Sequence, residues 1–304
     1  MKVTNIPFMA IRKIVAVFSL ALILISLGSL ATKGLQFGLD FTGGTLIEVE
    51  YKEAPQLDDV RTLLGENGYD DVVVQNFGSP TDVVVRMANS YTATLGDEVL
   101  VTLQNHGATD VTLQRSEFVG AQVGEELREQ GGLGMLLALA IVMIYVAVRF
   151  QFKFSVASVA ALVHDVIITL GFFSIFEVEF DLTVLAALLA VVGYSLNDTI
   201  VVCDRIRENF RIMRDTTPYD LVNESINQTL GRTLITSLTT LFVLVVLFVA
   251  GGEAIHNFSM ALLVGIVIGT YSSIFVAANL LLAMQVPRED LLPTPKEELE
   301  DDLP

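Results

Sequence analysis

One run of residues, Val192-Gly-Tyr-Ser-Leu-Asn-Asp-Thr-Ile-Val-Val-Cys-Asp-Arg-Ile-Arg-Glu-Asn209, ends an apolar segment and carries Asn197 and Asp198 inside it. A carboxylate within a membrane helix costs about 2.5–3.5 kcal/mol on insertion scales. Such residues face the interior of a helix bundle, where they move ions or protons or hold helices together. The run therefore predicts a membrane helix with a polar group in its interior.

The composition of the chain indicates a membrane protein with several crossings. Of 304 residues, 52% are hydrophobic, and the mean hydropathy is +0.60. These values exceed those of ordinary soluble domains. The net charge of −17 argues against nucleic acid as a partner, because phosphate binding requires a basic surface. The single cysteine, Cys203, excludes an internal disulfide.

Six apolar runs are near the ~20 residues that a bilayer requires, and they predict six transmembrane helices. The predicted spans are residues 14–30, 131–148, 154–176, 182–203, 233–250 and 258–284. The first run follows Lys2, Arg12 and Lys13, so a cleaved signal peptide is an alternative. Its length and the later runs favour a retained helix. The sixth span contains Gly265 and Gly269, a spacing that predicts close helix packing.

Basic residues predict the orientation of these helices. The N-terminus, the 149–153 turn, the 204–232 loop and the tail hold 12 of the 18 lysines and arginines. The loops at 177–181 and 251–257 hold none. The positive-inside rule therefore places both termini in the cytoplasm and residues 31–130 outside. The predicted divisions are 1–30 with the first helix, an extracytoplasmic domain at 31–130, helices two to six at 131–286, and an acidic cytoplasmic tail at 287–304.

Residues 31–130 differ from the rest in being mixed and acidic, with 17 acidic and 6 basic residues. Alternating and helical apolar periods predict a small α+β domain. The predicted elements are strands at 45–51, 72–77, 81–87 and 109–115, helices at 55–68 and 95–106, and a hairpin turn at Gly78-Ser-Pro80. The order β-α-β-β-α-β predicts a ferredoxin-like fold.

Asp198 is the first candidate for a functional site. It lies about 9 Å from the cytoplasmic end of the fourth span, at 1.5 Å per residue. Burial favours the neutral acid and a nearby cation favours the carboxylate, so the two effects together suit a group that takes and gives protons. A structural hydrogen bond between helices, made by Asn197 and Asp198, is the alternative.

Arg232 opens the fifth span and heads a stripe of hydroxyls at helical spacing. The stripe comprises Thr233, Thr236, Ser237 and Thr240. Arg232 could pair with Asp198 or order water near it, or it could simply extend to the lipid headgroups.

His164 and Asp165 lie midway along the third span, where two ionisable neighbours are costly. A proton relay and a structural hydrogen bond to a neighbouring helix are both open. Because adjacent side chains point about 100° apart on a helix, we expect them to face different partners.

A glycine-rich segment, Gly38-Leu-Asp-Phe-Thr-Gly-Gly-Thr45, follows the first span. It lacks the lysine and helix start of a phosphate-binding loop. His106, His164 and His256 are scattered rather than spaced for a metal. No nucleophile motif stands out, so we expect neither an enzyme nor a bound cofactor or metal.

Motifs along the whole chain resemble those of the bacterial SecF family. They are Phe37-Gly-Leu-Asp-Phe-Thr-Gly-Gly-Thr45, Val119-Gly…Val123-Gly-Glu-Glu-Leu127, His164-Asp165, Gly193-Tyr-Ser-Leu-Asn-Asp-Thr199…Asp204-Arg-Ile-Arg-Glu-Asn209 and Arg232-Thr-Leu-Ile-Thr236. The resemblance implies the resistance–nodulation–division superfamily and the bacterial inner membrane. It also implies SecD as a second six-helix partner, together with the SecYEG channel and associated subunits such as YajC.

The same resemblance implies use of the proton-motive force to help move a translocating preprotein outward. It implies proton conduction through the positions of Asp198 and Arg232. The full set of candidate proton-pathway residues is Asp198, Arg232, Asn197, His164 and Asp165, and the candidate motif after the first helix is Gly38, Asp40, Phe41, Thr42, Gly43 and Gly44. The alternatives are a stand-alone proton-driven exporter of small molecules or lipids and a purely structural scaffold.

Overall fold

Long helices form most of the structure, a computed structural model that describes residues 6–69, 72–77, 79–87, 92, 94–105, 110–213 and 215–285. The helices are α1 (Arg12–Thr32), α2 (Leu39–Thr42), α3 (Leu57–Glu66), α4 (Leu95–Asn105), α5 (Ala121–Arg149), α6 (Phe152–Ile175), α7 (Leu182–Ile212), α8 (Pro218–Ala250) and α9 (His256–Ala283). The strands are β1 (Gln36–Phe37), β2 (Gly44–Tyr51), β3 (Val73–Phe77), β4 (Ser79–Met87), β5 (Val111–Val119) and β6 (Glu179–Phe180).

Six helices of the described chain, α1 and α5 to α9, are long and apolar enough to cross a membrane. The prediction of a helical membrane protein with six spans is therefore confirmed. A short 3₁₀ turn, Phe8–Ile11, leads directly into α1. The segment beyond Gln285, which includes the predicted acidic tail, lies outside the described residues.

The helix bundle is centred on α6, α7 and α9, which are the spans with the most buried surface. Gly265 and Gly269 of α9 let this helix approach α7 closely. A Cβ atom on Gly265 would lie 2.2 Å from Cγ2 of Val191, and one on Gly269 would lie 2.9 Å from Cβ of Ser195. The glycine spacing thus serves close helix packing, as the sequence indicated.

The predicted loop at 204–232 is wrong, because most of it is helical. α7 continues to Ile212 and α8 already begins at Pro218. Thr217 caps α8 by accepting a hydrogen bond from the backbone N–H of Asp220, and proline suits the first helical turn. Asn209 of α7 donates to Ser225 of α8 at 2.8 Å, which holds the two extensions together.

The second span begins ten residues earlier than its apolar run, which starts at residue 131, predicts. Residues Ala121–Arg149 form one helix, α5. Gly131, Gly132 and Gly134 lie within it without breaking it. A glycine in a helix interior costs only about 1 kcal/mol, which is too little to end a long apolar helix.

The extramembrane part contains a four-stranded antiparallel sheet in the order β3-β4-β2-β5. Helices α3 and α4 lie between β2 and β3 and between β4 and β5 in the chain. Ile47, Val49 and Tyr51 point from β2 into the core, as the alternation predicted. β5 runs four residues beyond the predicted end, to Val119, because it stays paired with β2 as far as Gly44. Gly78 of the predicted turn lies outside the described residues.

Candidate functional site

Asp198 lies inside the helix bundle, where only 3% of the residue is exposed. Ser237 of α8 donates to its Oδ2 at 3.5 Å, and the Ser237 hydroxyl also bonds that of Thr270 of α9 at 2.7 Å. The carboxyl group of α7 is thus linked to two other helices through one hydroxyl. Thr233, one turn from Ser237, is also buried, so the predicted hydroxyl stripe faces the bundle.

Arg232 and Asn197, the two other candidates nearest to Asp198, are both exposed. Within the described residues Arg232 forms no ion pair with Asp198, and it lies five residues before Ser237 on α8. Asn197 points away from the buried site that Asp198 occupies, because successive residues of a helix diverge. The structure therefore brings Asp198 together with Ser237 and places Arg232 at the edge of the same site.

His164 and Asp165 form a second buried polar group, in α6. Nδ1 of His164 lies 2.8 Å from Oδ1 of Asp165. Ser272 of α9 donates to Oδ2 of Asp165 at 2.7 Å, and Ser195 of α7 donates to the same oxygen. These contacts satisfy both oxygens of the buried carboxyl group, which offsets the cost of burying it.

The expectation that His164 and Asp165 face different partners is wrong, because both contact α9. The His164 ring stacks on Tyr271 with the ring centroids 6.1 Å apart, and Asp165 bonds Ser272. Since α9 presents these two successive residues, the diverging side chains of α6 each find a partner on it.

The two polar groups are one helical turn apart. Ser195 and Asp198 are three residues apart on α7, and Thr270 and Ser272 are two apart on α9. We call these two neighbouring groups the buried polar strip; on α9, Thr270 bonds Ser237 of α8 and Ser272 bonds Asp165 of α6. Two buried atoms beside this strip, Nε2 of His164 and Oγ1 of Thr233, have no hydrogen-bond partner among the described residues.

The glycine-rich segment after α1 joins the sheet domain to the helices. β1 pairs in parallel with β6, which lies just before α7. The backbone N–H of Gly38 donates to the carbonyl of Phe180 at 2.9 Å, and the first backbone N–H of α7, at Leu182, donates to Oδ2 of Asp40 at 3.0 Å. This segment therefore lies outside the buried polar strip and forms a structural junction.

The remaining residues of the segment pack tightly at the same junction. Phe41 stacks on Phe180, with the ring centroids 6.1 Å apart, and the Thr42 hydroxyl donates to the Gly38 carbonyl at 3.1 Å. A Cβ atom on Gly43, which has φ 66°, would lie 2.7 Å from Cα of Ala121. Glycine is required there both for the positive φ and for the close approach to α5.

Among the described residues, no group of three or more histidine, cysteine, aspartate or glutamate side chains is placed to hold a metal ion. The buried polar strip instead consists of carboxyl, imidazole and hydroxyl groups. Such groups can accept, hold and pass a proton through hydrogen bonds.

Comparison with known proteins bears on what this arrangement is for. The family model for the C-terminal part of the protein export membrane proteins SecD and SecF matches residues 99–287, and the model for the SecD/SecF GG motif matches residues 28–55. The protein translocase subunit SecF of Pseudomonas aeruginosa is 51% identical over 304 residues, which are 100% of this chain and 99% of that protein.

The chain belongs to the SecF family. SecF of Vibrio alginolyticus is also similar, at 50% identity over 95% of this chain and 93% of its own length. The SecF family identity confirms the resemblance seen in the sequence motifs, and it makes this chain a membrane protein of protein transport and translocation.

Solved structures of SecDF have the same fold as this SecF-family chain. The crystal structure of SecDF from Thermus thermophilus, described as translocon-associated, superposes with a TM-score of 0.85 at 37% identity. A second SecDF structure, in a super-membrane-facing form, gives a TM-score of 0.69 at 37% identity. The two superpositions cover 93% and 92% of this chain, but only 39% of each SecDF chain.

Sequence reasoning missed several polar residues of this SecF-family site. They are Ser195, Thr270, Tyr271 and Ser272. The signal that could have found them is the run Thr270-Tyr-Ser-Ser273, four consecutive polar residues in the middle of an otherwise apolar span. In a membrane helix such residues find partners on neighbouring helices.

Proposed function

We propose that this chain is a non-enzymatic subunit that uses the proton-motive force to promote the translocation and release of proteins. The observation that carries the proposal is the buried carboxyl of Asp198, linked to α8 and α9 through Ser237 and Thr270. A buried carboxyl with hydroxyl partners and a cation nearby can exist in two charge states. Family membership favours this function over a stand-alone exporter of small molecules or lipids.

The mechanism follows from the change in charge at Asp198. The ionised carboxyl attracts Arg232 and accepts a hydrogen bond from Ser237. Proton uptake removes that attraction, so the preferred position of α8 relative to α7 changes. Protonation can shift the helices only if the charged and the neutral forms of Asp198 favour different positions of α8 relative to α7. The charge of Arg232 provides that difference.

His164, Asp165 and Asn197 complete the proposed proton pathway in different ways. Asp165 is held by three partners and shares α7 and α9 with Asp198, so its site can exchange protons with the Asp198 site through hydroxyls or water. The unpartnered Nε2 of His164 and Oγ1 of Thr233 are groups that bridging water can bind. Asn197 is exposed and lies on the side of α7 from which a partner or water can approach.

The proposed setting is the bacterial inner membrane, with both termini in the cytoplasm. The distribution of lysine and arginine supports this orientation. The proposed partners are SecD, the SecYEG channel with associated subunits such as YajC, and the translocating preprotein. The SecDF structures support SecD as the partner, because this chain accounts for 39% of each of those longer chains.

We also propose that the extramembrane unit is a ferredoxin-like periplasmic domain formed by residues 31–130. Its β-α-β-β-α-β order and its sheet order β3-β4-β2-β5 support this assignment. A small domain joined to the first membrane helix and to α5 is suited to follow a helix movement.

The decisive experiment replaces Asp198 with Asn, which keeps the size of the side chain and removes its ability to ionise. In membrane vesicles that contain the complex with SecD, we expect the proton-gradient-dependent part of export to be lost, along with proton flux. Asp215→Asn, in the exposed turn between α7 and α8, is the matched control and should leave both unchanged. Gradient-dependent export that survives Asp198→Asn contradicts the proposed function.

A further inference from the structure

The sheet domain makes an ion pair with the segment that begins α7. Arg86, near the end of β4, pairs through Nη2 with the carboxylate of Glu179 in β6, and each side chain is only 16% exposed. Nη1 of Arg86 also donates to the carbonyl of Phe37 at 3.4 Å. Arg86 therefore contacts both strands of the small parallel sheet β1–β6.

Glu179 is held from several directions at once. Its carboxylate is paired with the guanidinium of Arg86, and its backbone carbonyl accepts a hydrogen bond from Asn257 at 3.3 Å. Gly38 leaves room for it, since a Cβ atom there would lie 2.7 Å from Oε1 of Glu179. Burial raises the pKa of Glu179 even though Arg86 opposes this shift.

The same segment is fixed to the first turn of α7. Asp40 accepts from the backbone N–H of Leu182, and Asp181 accepts from that of Val184 at 2.8 Å. Two carboxylates at this helix start are stabilised by its dipole and by the free N–H groups. Asp198 lies sixteen residues further along the same uninterrupted helix, about 24 Å away at 1.5 Å per residue.

We propose that Arg86 and Glu179 are positioning residues that couple movement of α7 to the extracytoplasmic domain. The inference rests on the proposed function, because it assigns the mechanical connection between the Asp198 site and the domain. Helix α7 acts as a rigid rod, and the ion pair makes the domain follow the start of that rod. Without the pair, the segment of residues 36–43 is the remaining described connection between the domain and the start of α7, so the domain follows the helix less.

The test separates proton flux from export in vesicles that contain the complex with SecD. Arg86→Gln and Glu179→Gln should each lower gradient-driven export by about fivefold or more, the range of ordinary coupling free energies. Proton flux should remain, because the Asp198 site is untouched. The double charge reversal, Arg86→Glu with Glu179→Arg, should recover a large part of the export.

The chain offers a matched control at the same junction. Lys33 and Glu177 form an ion pair at 2.6 Å, but their side chains are 47% and 57% exposed. Lys33→Gln and Glu177→Gln should leave gradient-driven export unchanged, because exposed pairs contribute little.

Three results overturn the inference. The first is unchanged gradient-driven export in both single variants, and the second is a parallel loss of proton flux and export in well-folded variants. The third is a charge-reversal variant that folds but does not recover gradient-driven export. Thermal unfolding of each purified variant shows which ones are folded, and the charge reversal is the deciding variant if a single change prevents folding. Failure of the proposed function is seen separately, as gradient-driven export that persists in Asp198→Asn.

Discussion

The Asp165 carboxylate joins three helices at one buried point. It belongs to α6. Its Oδ2 accepts hydrogen bonds from the hydroxyls of Ser195 of α7 and Ser272 of α9, and its Oδ1 contacts His164. Removing one donor from a buried carboxyl group leaves an oxygen less well satisfied, which costs more than the hydrogen bond itself contributes. The contribution of this point to stability can therefore be measured one hydroxyl at a time.

Ser272→Ala should lower the unfolding free energy of the detergent-solubilised chain by about 1–2 kcal/mol. The matched change is Ser273→Ala on the same helix, since the Ser273 hydroxyl is also buried but, among the described residues, bonds only the backbone carbonyl of Thr270, at 3.0 Å. We expect Ser272→Ala to have the clearly lower thermal midpoint. Equal midpoints would show that Asp165 does not depend on this donor.

A second residue-scale prediction concerns Tyr51 in the core of the sheet domain. Its hydroxyl is buried without a hydrogen-bond partner among the described residues, and burial raises its pKa from 10.0 to about 12. The unfolded chain releases this proton near pH 10 while the folded domain retains it. The stability contributed by Tyr51 is therefore fully present below pH 10 and is lost as the pH rises through 12.

Tyr51→Phe should remove that alkaline loss and leave stability at neutral pH unchanged or slightly higher, since an unpartnered buried hydroxyl is removed. The measurement is the thermal midpoint at pH 7 and at pH 11, compared with wild type and with Tyr69→Phe, which alters a partly buried tyrosine of the same domain. An alkaline decline as steep in Tyr51→Phe as in wild type refutes the assignment.

At the scale of elements, the contact between α7 and α9 depends on glycine. A Cβ atom on Gly265 would lie 2.2 Å from Val191, so Gly265→Ala must separate the two helices or displace the valine. Overpacking of this kind costs about 1–3 kcal/mol. Gly134→Ala in α5 is the control, because a Cβ atom there meets nothing within 4 Å.

We expect Gly265→Ala to lower the thermal midpoint of the chain in detergent, and Gly134→Ala to keep or raise it, since alanine favours helix over glycine. Because both helices carry residues of the buried polar strip, Gly265→Ala should also reduce gradient-driven export. A stable and fully active Gly265→Ala protein would mean that α7 and α9 do not need this close approach.

The apolar and alternating periods of the sequence predicted the membrane helices and the order of elements in the sheet domain, because burial in lipid or in a core imposes those periods directly. The extensions of α7 and α8 are too short and too polar to be recognised as spans, although the buried apolar spacing of residues 221–230 and the Thr217-Pro218 start are local signals for α8. Asp198 was found from its cost in a membrane, but the link from its partner Ser237 to Thr270 depends on how α9 faces α8, which no local pattern records.

At the scale of the whole molecule, two charged regions lie on opposite sides of the proposed membrane plane. The sheet domain is acidic, and the extension of α7 contains the arginines Arg205, Arg207 and Arg211. Some of these arginines are paired, as in the bonds from Arg207 to Asp204 and from Arg205 to Glu208. Orientation is nonetheless set by the positive charge near the helix ends, to which acidic neighbours contribute little.

Cysteine accessibility can test this orientation in intact cells. Cys203 is buried and is the single native cysteine, so a Cys203→Ala chain provides a background without reactive thiols. In that background Asp59→Cys, exposed on α3, should react with a membrane-impermeant maleimide added outside the cytoplasmic membrane. Asp215→Cys, in the exposed turn between α7 and α8, should react only after that membrane is opened, because the positive-inside rule predicts a cytoplasmic position for this turn and its neighbouring arginines. The reverse labelling pattern would place the sheet domain in the cytoplasm, where it could not act on a protein leaving the cell.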